Sequence, residues 1–509
     1  MPRLQGLDNL EISTGEKAGG GDKLIKRLDL LLVVPNLPSS SWINALVTST
    51  TQPLGIAYIA SYLQRHEFKV KILDNSIEHL SDDEFLFFLK KNKPQVVGFT
   101  VSTSSYLQAV RLASLVKRYE SKITVIMGGA HPSALPKETL SSNFVDIVIH
   151  GEGEETTLEL MKELSSARRL SGVKGIGYKE HGKFYMNPQR DPIKDLDSLP
   201  MPAYALLPMG KYHHSPFRRV ACGNVASIIT SRGCAMNCSF CSKSVFAHGI
   251  RYRSIDSVIA EIKYLIGAFS VRELVLRDDA FTFDAQRAKD IAIGIKRLNA
   301  NIKWSCYSCV NHASEKLYDI FYDSGCREIC FGGESANDVV LKATGKKITA
   351  KQTERAIGLC KKYRISSLCS IIIGLPHDTV ETVLETIRFL IKIEPDYAVF
   401  CVLVPMPGSS LFEQAVKNKL IDLKSTTWDD YVKVLSSKLP PITLCNISRE
   451  DITMLQKKAF RSFYIRPGYF FKKLRRGPAL IQLLQLVKGG YVFIRVQLHK
   501  FTHKTIKNK

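Results

Sequence analysis

Residues 231–241 read Ser-Arg-Gly-Cys-Ala-Met-Asn-Cys-Ser-Phe-Cys, and the spacing of Cys234, Cys238 and Cys241 constrains this chain more than any other stretch. The pattern C-x-x-x-C-x-x-C puts three thiolates on one short loop, enough to hold three irons of a four-iron cubane. Iron–sulfur clusters take four cysteines as a rule. A loop with three leaves one iron for a small molecule to complete. Free cysteine is also among the most buried residue types, and the competing reading makes the three ordinary core residues. The surroundings speak against it, because Arg232 and Gly233 precede the loop, Asn237 and Ser239 lie within it, and Val225 to Ile229 before it reads as a strand. A cysteine loop at the carboxyl end of a first strand stands where barrel enzymes keep their chemistry.

Outward from that loop, Cys222 to about Asp430 repeats strand then helix six times. The strands read as Val225 to Ile229, Glu273 to Leu276, Ile302 to Tyr307, Glu328 to Phe331, Ser367 to Ile373 and Tyr397 to Val404. Six such units predict a partial (β/α)6 barrel of the TIM type, with its active face where the strands end. Gly332-Gly333-Glu334 follows the fourth strand: the glycines permit close backbone approach, and the carboxylate is an acceptor for an ammonium. Ile371-Ile-Ile-Gly374-Leu-Pro376 closes the fifth, where a simple turn is the rival reading. Asp278-Asp279 after the second strand suits acid–base work or the capping of the next helix. Cys306, Cys309, Cys326 and Cys330 have spacings that a second metal could use. Residues three apart on a strand face opposite sides, however, which weakens a shared site.

Before the barrel, the chain alternates in the same way. Leu30 to Val34, Val70 to Leu73, Val96 to Thr100, Thr124 to Met127 and Val145 to Ile149 read as strands; Leu54 to His66, Asp83 to Lys91 and Tyr106 to Tyr119 read as helices. This predicts a doubly wound parallel sheet of Rossmann-like α/β class, with a ligand at the carboxyl ends of its strands. Those ends carry Ser102-Thr103, Gly128-Gly129 and Glu152-Gly153-Glu154. A helix is expected from near Thr156, with the acidic residues at its positive end. Glu154 reads as a cap or cofactor rim rather than as a base. Residues 166–221 hold five prolines from Pro192 to Pro216 and read as a linker.

The three-cysteine loop with Phe240 before its last cysteine resembles the signature of the radical S-adenosylmethionine (SAM) enzymes. Gly332-Gly333-Glu334 resembles their motif for the methionyl amino group, and Gly374 with Pro376 resembles their stretch near the adenosine, Ser370 replacing a glycine. Residues 28–165, with Pro53-Leu-Gly-Ile-Ala-Tyr, look like the cobalamin-binding domain of one radical-SAM subgroup. No D-x-H-x-x-G occurs, which fits a subgroup whose cobalt lacks a protein histidine but also fits a domain that kept the fold and lost the cofactor. The resemblance implies that Cys234, Cys238 and Cys241 ligate a 4Fe-4S cluster and that Phe240, Gly332, Gly333, Glu334, Gly374 and Pro376 surround SAM. It places Ser102, Thr103, Gly128, Gly129, Glu152, Gly153 and Glu154 at cobalamin. It further implies electron transfer from the cluster to SAM, a 5′-deoxyadenosyl radical and C-methylation of an unactivated carbon. The alternatives are oxidation or cyclisation, as in anaerobic tetrapyrrole cyclases, and a non-catalytic cobalamin sensor or scaffold. A low-potential donor such as flavodoxin or ferredoxin is implied as the redox partner.

Composition bounds these readings. The 509 residues, 45% hydrophobic and 23% charged, suit a globular chain of several domains. No apolar run approaches the roughly 18 residues needed to span a bilayer, and residues 1–27 read as a polar tail without a signal-peptide core. The twelve cysteines then point to metal or redox use in a reducing compartment. The expectation is a cytoplasmic protein. Of the net charge of +23, 14 basic residues and no acidic ones fall from Ile452 to Lys509, within an extension over 431–509. Ala479 to Val487 and Tyr491 to Ile494 add apolar stretches there. Such a tail suits contact with an anionic inner-membrane surface and a lipid-like substrate, or else packing of a helical extension on the barrel with a small-molecule substrate. Nucleic acid is not expected, since no recognition motif accompanies the charge.

Overall fold

The computed structural model describes residues 27–36, 49–166, 169–215, 218–246, 249–433 and 441–469. Residues 1–26 and 470–509, Pro216 and His248 lie outside these, and with them both apolar stretches of the tail.

The first sheet begins with five parallel strands, β1 (Leu30–Val34), β2 (Val70–Asp74), β3 (Val96–Thr100), β4 (Thr124–Gly128) and β5 (Ile147–Ile149). Successive side chains of β1 go to opposite faces. Leu30 and Leu32 pack under helices Leu54–Gln64 and Glu154–Ser165, while Leu31 and Val33 pack under Asp82–Asn92 and Tyr106–Tyr119. Coverage of both faces is why the strands are continuous apolar runs rather than alternating ones. The order β2-β1-β3-β4-β5 reverses direction at β1, so the carboxyl ends of β1 and β3 flank a crevice at the switch point.

The stretch read as a linker is more ordered than its prolines suggest. β6 (Ile176–Glu180) and β7 (Lys183–Met186) form a hairpin that adds antiparallel to β5 and widens the sheet to seven strands. The two-residue turn between them, His181 at φ 48° and Gly182 at φ 74°, has the positive φ pair of a type I′ hairpin. Short 3-10 turns then lead the chain to the barrel.

The second sheet holds β8 (Asn224–Ile228), β11 (Val271–Leu276), β12 (Lys303–Ser308), β13 (Cys326–Glu334), β14 (Ser366–Ile373) and β15 (Tyr397–Val402), each parallel to the next in chain order. β9 (Ser231–Arg232) and β10 (Arg251–Tyr252) pair across the base of the cysteine loop. Leu274, Leu276, Trp304, Cys306, Phe331 and Cys369 face the helices in the main core. Their alternating neighbours therefore line the concave side.

A part-barrel has two open edges, and side chains from outside it cover both. On β8, Gln52 mimics a strand: its amide donates to the Val225 carbonyl at 2.8 Å and accepts from Ser227 N–H at 2.9 Å. On β15, the Tyr464 hydroxyl donates to the Ala398 carbonyl at 2.7 Å and accepts from Ala398 N–H at 3.0 Å. Tyr464 ends the helix Arg449–Tyr464, whose Ile452, Leu455, Ala459 and Phe463 are buried. This helix, the first part of the basic extension, packs on the barrel. Trp428 crosses to the first domain, its indole donating to Glu138 at 2.8 Å.

Candidate active site

Gly233 sets the start of the cysteine loop. Its φ is +87°, and an added Cβ would lie 2.3 Å from the Gly249 carbonyl oxygen, so a side chain there meets backbone. The loop is then tied to the end of the helix Asp338–Ala343 and to the start of the helix Ser410–Lys417. Ser239 N–H donates to the Thr344 carbonyl at 2.8 Å, and the Ser239 carbonyl accepts from Leu411 N–H at 3.0 Å. Phe240 packs with Leu375, Leu403 and Leu411, which brings it beside the Gly374–Pro376 turn. That turn is itself shaped by Asp378, whose carboxylate accepts from Gly374 N–H and Leu375 N–H at 2.9 and 3.0 Å.

The three thiols feel one another electrostatically. Burial pushes the Cys238 thiol up to about 11, Lys346 works against that, and Cys241 and Cys234 add to it. Burial likewise raises Cys241, helped by Asp279 and Cys234. Thiolates are the form that binds metal. A set of three on one loop, with Lys346 and Lys243 as nearby cations, has the donor chemistry of a cluster site. Among the described residues no three His, Cys, Asp or Glu side chains are drawn together at metal-ligand spacing, this loop included. Cys306 is buried on the helix side of β12, whereas Cys330 meets Arg218 and Glu328 on the concave side.

Glu334, at φ 58°, ends β13 and is buried. It already holds a cation: Lys346 Nζ donates to its Oε1 at 2.5 Å, both side chains being no more than 10% exposed. A Cβ on Gly332 would lie 2.3 Å from each of these two atoms, so the glycine is what lets the ion pair lie against the strand. Sequence reading missed Lys346, which sits 12 residues beyond its partner in an unremarked run of lysines. Asp278 proves structural, accepting from Thr230 N–H, Thr230 Oγ1 and Ser231 Oγ. It does not cap the next helix; Asp284 does. Asp279 is exposed at the mouth, near Cys241.

A second cleft opens at the switch point of the first sheet. The open space there, with its solvent-filled mouth included, is about 840 Å³. Gly128, Gly129, Glu152, Gly153 and Glu154 all line it, as do Tyr58 from the helix Leu54–Gln64 and Arg232 and Phe246 from around the barrel loop. Gly129, at φ +105°, has no room for a Cβ, which would meet the Val101 carbonyl at 2.9 Å. Such a floor lets a large flat ligand lie against backbone. Ser102 and Thr103 fall outside the lining: Ser102 N–H donates to Ser105 Oγ in a 3-10 turn, and Thr103 Oγ1 meets His131 Nδ1 at 3.2 Å behind the cleft. Among the described residues that line the cleft, none is a histidine.

The cleft's charges are neutralised internally. Arg232 donates to Glu154 at 2.5 Å and lies 3.4 Å from Glu152, while Arg251 grips Glu152 with two bonds of 2.9 and 2.7 Å. The Arg232 guanidinium also rests over the Tyr58 and Phe246 rings, at 5.0 and 5.4 Å. Glu154 starts its helix and is committed to Arg232, which suits a rim rather than a free base. Arg232 stands two residues before Cys234, so one short segment borders both sites.

Comparisons with known proteins agree with this layout. The B12 binding domain model matches residues 41–161 and the radical SAM superfamily model residues 228–390. An uncharacterized methyltransferase of Pyrococcus horikoshii is 38% identical over 454 residues, covering 88% of this chain and 95% of that protein. This chain belongs to the B12-binding radical SAM family. The anaerobic magnesium-protoporphyrin IX monomethyl ester cyclase of Rubrivivax gelatinosus is 29% identical over 394 residues, 76% of this chain and 69% of that one. The fold is that of the radical SAM methyltransferase TsrM from Kitasatospora setae, solved with cobalamin and a 4Fe-4S cluster; the TM-score is 0.64 at 18% identity, over 77% of this chain and 75% of that one. Among the described residues no helix is long and apolar enough to cross a membrane.

Proposed function

We propose that this chain is a cobalamin-dependent radical SAM methyltransferase that adds a methyl group to an unactivated carbon of a small-molecule substrate. The observation that carries this is the single segment Arg232 to Phe246, which supplies the three thiols at the barrel mouth and a wall of the cleft at the first sheet. Bound together, cluster, SAM and cobalamin supply a carbon-centred radical and a transferable methyl group. The protein's part is position. Cys234, Cys238 and Cys241 hold the cluster, and Glu334 accepts from the methionyl ammonium. Lys346 pairs with Glu334 until that ammonium arrives, and Phe240 fixes the loop against the turn at Gly374. Gly128, Gly129 and Gly153 let the corrin approach backbone, while Arg232 and Glu154 hold the cleft wall to the cluster loop.

We place the protein in the cytoplasm, with a flavodoxin or ferredoxin as electron donor. Anaerobic reconstitution with both cofactors and mass analysis of the products test the reaction. Methyl transfer with release of 5′-deoxyadenosine is expected; deoxyadenosine formed by protein that retains no cobalamin would remove the methyltransferase reading. The likeness to the cyclase favours a second reading, substrate oxidation or cyclisation. It predicts a product without an added methyl carbon.

The basic tail keeps its two readings beyond residue 469. Liposome co-sedimentation with and without residues 470–509 separates them, since equal recovery of both forms in the supernatant ends the lipid reading.

A further inference from the structure

The concave face of the barrel carries three carboxylates, and each has a basic side chain as its partner. Glu273 on β11 meets His214 Nδ1 at 2.5 Å, Glu328 on β13 meets Arg218 at 2.5 Å, and Glu334 meets Lys346 at 2.5 Å. A fourth basic side chain on this face has no carboxylate partner among the described residues. Arg277 directly follows β11, its backbone N–H donating to the Ile228 carbonyl at 2.8 Å. It alternates with Leu276 and Asp278, which turn to the other side. Its guanidinium is held only by neutral groups: Nη1 donates to the Tyr307 hydroxyl at 2.7 Å and Nε to Ser227 Oγ at 3.5 Å.

Tyr307 sharpens the point. Its oxygen is spent accepting from Arg277, which leaves its own O–H without an acceptor among the described residues. The neighbouring carboxylates are otherwise engaged. Asp278 accepts from Thr230 and Ser231 through Oδ1 alone, its Oδ2 being buried without a hydrogen-bond partner, and Lys243 is the charged group acting on Asp279. By contrast Arg232, Arg251 and Arg253 each have a carboxylate within hydrogen-bond range. Arg277 is half-buried, and a guanidinium partly withdrawn from water gains from an anion that completes it. A fork of guanidinium N–H groups beside a free phenol O–H matches the oxygens of a carboxylate or phosphoryl group.

We propose that Arg277 and Tyr307 form the anchor for an anionic group of the substrate, so that this enzyme acts on an oxyacid-bearing molecule held within the barrel. The proposal rests on the reading of the barrel as the site of reaction. It adds the substrate's charge and the residues that select it. Phe281 N–H, donating to the Tyr307 carbonyl at 2.9 Å, fixes the anchor's backbone to the loop that follows Arg277.

Labelling of the cofactor-loaded full chain with phenylglyoxal, read by peptide mass mapping, tests it. Without added anion, Arg277 should react faster than the carboxylate-paired Arg232 and Arg253. Inorganic phosphate or acetate, at matched ionic strength against chloride, should slow Arg277 alone by about fivefold or more. The stronger of the two protectors tells a phosphoryl from a carboxylate substrate. In Tyr307→Phe, which keeps the arginine, protection should weaken. In Arg277→Lys, phosphate should still raise the thermal midpoint, and in Arg277→Met it should not. Arg277 labelling as slowly as Arg232, or labelling unaffected by either anion, overturns the proposal. Deoxyadenosine and methyl transfer measured on the same preparation report the underlying reading separately.

Discussion

Both parallel sheets offer a ligand the carboxyl ends of their strands, yet they build the two sites from opposite materials. The cleft of the first sheet is backbone and hydrocarbon: glycines at 128, 129 and 153, leucine and isoleucine walls, and charges cancelled within the wall by Arg232, Arg251, Glu152 and Glu154. The barrel mouth is side-chain chemistry: three thiols, the pair Glu334 and Lys346, and the uncompensated Arg277. A site for a large preassembled cofactor needs shape and a neutral frame. A site that makes and steers a radical needs ligands and charges set in place.

The largest expected effect breaks the symmetry of that comparison. Cys238→Ala should abolish SAM cleavage, measured as 5′-deoxyadenosine, and bleach the cluster's visible absorbance while cobalamin binding persists. Loss of both cofactors together would show that the sites are not separately built. Arg232→Met attacks the shared wall instead. It leaves Glu154 as a buried charge without its partner, so stability should fall by about 3 kcal/mol, read as the urea midpoint. Cobalamin retention should fall with it. A variant as stable as the parent would mean that the pair is not what holds the two sites in register.

Gly332→Ala acts within the barrel mouth alone. The Cβ would meet the tips of Glu334 and Lys346 rather than backbone, so the fold should survive while the ion pair shifts. The KM for SAM should rise about tenfold, equivalent to about 1.4 kcal/mol. An unchanged KM would remove Glu334 from the SAM site.

What the sequence disclosed follows the same division. β1 and β3 and the helix Tyr106–Tyr119 were read to the residue, because apolar runs and helical periodicity are local signals. The cysteine loop was legible because three cysteines at that spacing make a local pattern. Pairings were not: Arg232 and Glu154 lie 78 residues apart, and Gln52 covers a strand edge more than 170 residues away. Nothing in local pattern marks either. The β6–β7 hairpin hid behind nearby prolines, although His181-Gly182 is a turn signal that alternating Ile176 and Tyr178 could have confirmed. Ser102 and Thr103 were placed at the cleft from their position after a strand, but Ser105 and His131 claim them.

The smallest effect separates the cleft's rim from the barrel by pH. His150 ends the β5 connection just before the cleft residue Gly151, its backbone N–H bonded to the Gly175 carbonyl at 3.0 Å. Its Nε2 is buried without a hydrogen-bond partner. Burial pushes the imidazole below its ordinary pKa of 6.5. The unfolded chain therefore binds this proton more readily than the folded one, so stability that is present above about pH 6.5 is lost as the pH falls toward the folded value. Urea midpoints at pH 7.5 and 5.5 should drop further for the parent than for His150→Phe, which carries no proton there. Because the other histidines are common to both proteins, the difference between the two drops isolates His150. Equal drops would mean that the imidazole is as readily protonated in the fold as in the open chain, and that the rim is wetter than its burial implies.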